Sequence, residues 1–127
     1  MDWHDIALGG AGALGASVAI LHGVLTQRLM IRPLEVVYAG DQRISGTIRK
    51  VVPLLLHFST FNWFLGGLAL IAATGLAPGA RLAVAALVGS SYLFGAAGNL
   101  WATRFRHPGG WLYAAAFAMI VLGAWKP

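Results

Sequence analysis

SVAILHGVLTQRLMIRPL, residues 17–34, is an apolar run that carries one histidine and then breaks into arginines at Arg28 and Arg32. With a bilayer as the solvent, it marks where a hydrocarbon core ends and which side that end faces. It also places an ionisable group, His22, inside that core.

The composition calls for such a solvent. The chain of 127 residues is 58% hydrophobic and 10% charged, with a mean hydropathy of +0.73, well outside the range of soluble domains. Four apolar segments can be drawn, 6–29, 51–76, 82–103 and 110–125. At about 1.5 Å per residue each reaches across a core of roughly 30 Å, the last only just. Backbone groups in hydrocarbon must pair within their own segment, so runs of this length are helices. The expected fold is all-α: a single membrane domain over 1–127, an antiparallel bundle of four transmembrane helices.

Charge gives the orientation. Arg28, Arg32, Arg43, Arg49 and Lys50 bracket the first connection, Arg104 and Arg106 occupy the third, and only Arg81 and Lys126 fall on the other side. Seven against two is a positive-inside bias, which puts the basic connections in the cytoplasm and both termini outside. Trp101 and Trp111 mark the inner interface, Trp3 and Trp125 the outer one. The net charge of +5 is thereby explained by topology, and nucleic acid is not expected as a partner. Asp2 and Asp5 stand where a secretory signal would carry basic residues, so the first segment is expected to be retained. The absence of cysteine excludes disulfides, thiolate metal sites and cysteine nucleophiles.

Small residues pattern the segments. Ala11, Gly15, Ala19 and Gly23 recur every fourth residue with Gly12 and Ala16 beside them, and Ser91, Gly95, Gly98, Asn99 and Ala102 form a second stripe. Such stripes let helix backbones approach closely, which drives association in lipid. His22 and Thr26 lie along the first stripe and should face protein. Residues 31–50 read as a long cytoplasmic connection lying along the headgroups, with a helical turn or two after Pro33 and a cap at Ser45 or Thr47 for the next helix.

The run LHGVLTQRLMIRPL, with LLHFSTFNW and RHPGGW further on, resembles a group of small four-helix proteins of the bacterial inner membrane. The matching positions are His22, Arg28, Pro33 and Leu34, then His57, then Arg106, His107, Pro108, Gly109 and Trp111. The chain departs from the group's pattern at Thr26-Gln27, where many members carry Gly-Glu, and at Leu56, where they carry Trp. The resemblance implies a four-helix fold and a bacterial inner-membrane location, and no activity.

His22 stands six residues before Arg28 and His57 seven after Lys50, so both lie about 9–11 Å inside the core, and Asn99, five before Arg104, joins the same layer. Intramembrane ionisable groups are candidates for function. One reading makes His22 and His57 the axial ligands of a haem, or ligands of a metal ion, with Asn99 beside them. The other has each imidazole hydrogen-bonded across the bundle to Thr26, Ser59, Thr60, Asn62 or Asn99. His4 and His107 read as polar groups at the surfaces. Glu35 and Asp41 are the only carboxylates beyond the N-terminus, and no Asp–His pair is spaced to activate a serine, so no catalytic set is visible. The expected role is association, as an accessory or assembly subunit of a larger membrane complex or as a homo-oligomer, with a haem- or metal-binding module as the alternative.

Overall fold

The computed structural model describes residues 2–125. Lys126, one of the two basic residues expected outside, lies beyond them. The described residues contain helices and turns and no strand: α1 (Trp3–Thr26), a π-helical turn (Gln27–Ile31), α2 (Arg32–Gly40), α3 (Gly46–Ala73), α4 (Pro78–Ala102) and α5 (Pro108–Ala124). Three stretches are long and apolar enough to cross a membrane: Trp3–Gly40, Gly46–Ala73 and Pro78–Ala102. α5, at 17 residues, is the short one.

The boundaries differ from the expected ones, for reasons local to each end. Helix 1 does not stop at residue 29. Pro33 has no N–H to give and its ring crowds the carbonyl four residues back. The chain accommodates it with one wider turn, in which the Arg32 N–H reaches Gln27 O, and then resumes as α2. Most of the expected 31–50 connection is therefore helical, and the true turn is 41–45. There Arg43 donates to Asp41 from its guanidinium and from its backbone N–H, which holds the Asp41 carboxyl below its usual range. Ser45 caps α3, its Oγ accepting the Ile48 N–H at 3.3 Å. α4 begins at Pro78, a residue preorganised for a first turn, several residues ahead of the expected start.

α1 packs against α3 and α5, and α4 packs against the same two. The first small-residue stripe lies inside this ring. Ala11, Gly12, Gly15, Ala16 and Ala19 are all buried. A Cβ on Gly12 would run into the Gly67 carbonyl of α3, one on Gly15 into the Tyr92 ring of α4, and one on Gly123 into the Leu8 and His4 backbone. The second stripe is split: Gly95 is buried against Trp63, whereas Gly98 and Ala102 are exposed and nothing lies within 4 Å of a Cβ on Gly98. Leu8, Leu70, Tyr92, Tyr113, Ala116 and Ile120 form the middle of the core.

One end of the ring is tied by charge. Arg81, expected to sit in the outer connection as a topology marker, is 1% exposed. Its Nη1 donates to Asp5 Oδ1 at 2.5 Å, and its Nε and Nη2 donate to Gly123 O at 3.2 and 2.6 Å. One guanidinium thus joins the start of α1, the start of α4 and a carbonyl in the last turn of α5. Asp5 is also the N3 member of the capping box begun by Asp2, with Asp5 N–H donating to Asp2 Oδ1 and Asp2 N–H to Asp5 Oδ2.

Candidate functional site

The opposite end of the ring holds a cavity of about 420 Å³ between the second half of α1, the end of α4 and the start of α5. Its walls are aliphatic, with Val18, Leu21, Leu25, Leu29 and Leu112 on them. Its polar groups are His22, Thr26, Asn99, His107 and Tyr113. Among the described residues no lysine, arginine or carboxylate lines it.

The sequence alone puts His107 at the surface, and the structure moves it inward. After α4, Arg104 and Phe105 stand at φ 50 and 64, a left-handed pair unusual outside glycine, and the Phe105 N–H closes back on Leu100 O at 2.7 Å. The chain then reverses into Pro108, the first residue of α5. His107 becomes the N-cap, its Nδ1 accepting the Gly110 N–H at 3.2 Å. Its own N–H donates to Thr103 Oγ1, which donates to Asn99 O. Since Nδ1 accepts, the neutral ring carries its proton on Nε2, which leaves an N–H donor on a cavity wall. The signal is present in the sequence: the residue before a Pro-Gly-Gly helix start is a capping position, and a capping side chain folds back over the first turn instead of pointing away.

His22 and Asn99 do share this cavity, as their common layer implies. Asn99 Nδ2 donates to Gly95 O at 2.7 Å within α4, leaving Oδ1 as an acceptor. His22 Nε2 lies 3.3 Å from Thr26 Oγ1 and 3.4 Å from Ser59 Oγ, and the Trp63 indole meets the His22 ring edge to face at 5.0 Å. Ser59 Oγ gives its own proton to Leu56 O, so it accepts from His22.

His57 is not on the cavity wall. It faces Gln27, the first residue of the π turn, with 2.9 Å between Nε2 and Oε1. The two imidazoles therefore bridge α1 and α3 one above the other, each through its own partners. A haem held by both would need both Nε2 atoms released from these contacts. Among the described residues no three His, Asp or Glu side chains come together as a metal-ligand set.

A second polar feature lies outside the ring. Asn62 and Ser91 are joined by a 3.0 Å hydrogen bond across the outer face of α3 and α4, in a groove of about 230 Å³ that includes Gly66 and Ala69. Asn62 is exposed there, and its second N–H and its carbonyl have no partner among the described residues. Compared with family models, characterised proteins and solved structures, the chain matches none.

Proposed function

We propose that the chain is an integral protein of the bacterial inner membrane, an antiparallel four-helix bundle with both termini outside, that works by pairing with a second copy of itself. Support for the helix directions comes from the order of contacts between α1 and α3, which runs from Gly9 with Thr74, through Gly12 with Gly67, to Gln27 with His57. Support for the orientation comes from Arg28, Arg32, Arg104 and Arg106 at the end bearing the cavity, which form no ion pair among the described residues, while Arg81 at the other end is neutralised by Asp5. The choice of membrane rests on the short motifs around His22, His57 and His107. Reporter fusions at Gly40 and at the C-terminus are expected on opposite sides; both in the cytoplasm would overturn the topology.

The association reading rests on Asn62. It stands 12 residues beyond Lys50, about 18 Å along the helix and so near the middle of the core. An amide with unmet hydrogen-bonding groups in hydrocarbon is costly. An amide carries both donor and acceptor, so two copies of one groove brought together about a two-fold axis satisfy each other. Gly66 and Ala69 allow the close approach this needs. The first small-residue stripe is used up inside the ring, so self-association is assigned to the α3–α4 face.

Asn62→Leu is expected to weaken self-association by about tenfold, the equivalent of one to two interhelical hydrogen bonds, as read by energy transfer between labelled copies in vesicles. Equal transfer in wild type and variant would remove the reading. Co-extraction with a larger complex in place of self-pairing would give the same face to an accessory role. The haem alternative predicts a visible band that shifts on reduction and is lost in His57→Ala; the association reading predicts a colourless protein.

A further inference from the structure

We infer that the cavity beside His22 and His107 is a binding site for a neutral single-chain lipophile with a hydroxyl head, the class of prenols and quinols. This inference is independent of self-pairing, because the cavity between α1, α4 and α5 and the Asn62 groove between α3 and α4 have no lining residue in common.

At about 420 Å³ the cavity falls within the size range of small-molecule sites, and it has their make-up, apolar walls with a few polar groups among them. Leu21, Leu25, Leu29 and Leu112 suit a hydrocarbon chain. Leu25 and Leu29 are themselves 48% and 69% exposed, so a chain can enter from the apolar surroundings. The walls are too short of polar groups for a sugar or a nucleotide, and without Lys or Arg they offer no counter-charge for a carboxylate or phosphate head.

The head is chosen by hydrogen bonding. The cap contact with the Gly110 N–H occupies His107 Nδ1 and leaves Nε2–H as a donor. The bond from Asn99 Nδ2 to Gly95 O leaves Oδ1 as an acceptor. Thr103 joins the two residues, accepting from the His107 N–H and donating to Asn99 O, so donor and acceptor are held on one short segment. A hydroxyl accepts from the first and donates to the second; an ether or a ketone can do only the former.

The test titrates the full chain in mild detergent with farnesol and, separately, with a decyl-substituted benzoquinol, following Trp63 emission, which lies against His22. Saturable binding of either supports the inference, and the tighter of the two names the source. Farnesyl methyl ether should bind about tenfold more weakly than the alcohol, the effect of one lost hydrogen bond. His107→Ser, which keeps a capping oxygen for Gly110 and removes the Nε2 donor, should weaken farnesol by a similar factor with the thermal transition retained. Leu25→Phe with Leu112→Phe should abolish binding by filling the cavity, and His57→Leu should leave it unchanged. Linear, unsaturable quenching, equal affinity for ether and alcohol, tighter binding of farnesyl phosphate, or indifference to the double phenylalanine variant would each overturn it.

Discussion

Arg81→Met, made alone, should destabilise the bundle by about 3–5 kcal/mol, because it removes the guanidinium bonded to the buried Asp5 carboxylate and leaves that carboxylate desolvated. Asp5 and Arg81 have side chains 7% and 2% exposed, so water cannot take over for the missing partner. The guanidinium also covers Gly123 O with two hydrogen bonds, and that carbonyl in the last turn of α5 loses both donors in the same substitution. Asp5→Asn should cost less, since an amide still accepts from Arg81 and can still serve the first turn of α1. The double variant Asp5→Leu with Arg81→Met should recover much of the loss, because an apolar pair of similar volume removes both desolvation terms. Equilibrium unfolding in mixed micelles gives all three values. If the single Arg81→Met variant lies within about 1 kcal/mol of wild type, the pair is solvated and the clamp is not there.

The part of the fold legible in the sequence is the part governed by long apolar runs. Four helices can be drawn from segment length and from the requirement that backbone groups pair internally, and the cap at Ser45 comes from residue type. Counting charges misplaces Arg81, because it treats every basic residue at a helix end as exposed. A different sign is available: a cation in the first turn of a helix opposes the helix dipole, so Arg81, three residues past Pro78, needs a carboxylate, and Asp5 is the candidate at the same end. His107 reads as a surface group unless its capping position is weighed. The Gln27 contact of His57 escapes a search for partners among the polar residues inside the apolar runs, because Gln27 stands at the edge of its run, next to Arg28. The partition of small residues between internal and outer faces is not legible at all. Gly12 and Gly98 are the same residue type on the same kind of stripe, and only the neighbours distinguish them.

That distinction carries the second large effect. Gly67→Leu should destabilise by more than the roughly 1–3 kcal/mol usual for an overpacked core, whereas Gly98→Leu should be close to neutral. At Gly67 a Cβ would sit 2.6 Å from Gly12 O and 2.8 Å from the backbone and Cβ of Ala16. Backbone cannot turn aside as a flexible side chain can, so α1 and α3 must separate along their whole line of contact. The separation reaches the histidines: His57 Nε2 to Gln27 Oε1, at 2.9 Å, and His22 Nε2 to Ser59 Oγ, at 3.4 Å, both cross this interface, so a small increase ends the second as a hydrogen bond and lengthens and weakens the first. At Gly98 a new side chain meets open space. At an exposed helix position the exchange of glycine for leucine also gains the roughly 1 kcal/mol of helix propensity that glycine lacks. Thermal unfolding of both variants in one detergent, with imidazole NMR signals of His22 and His57 as a local readout, compares them directly. Equal stability of the two, or unchanged His57 signals in Gly67→Leu, would mean that α1 and α3 do not cross at Gly12 and Gly67.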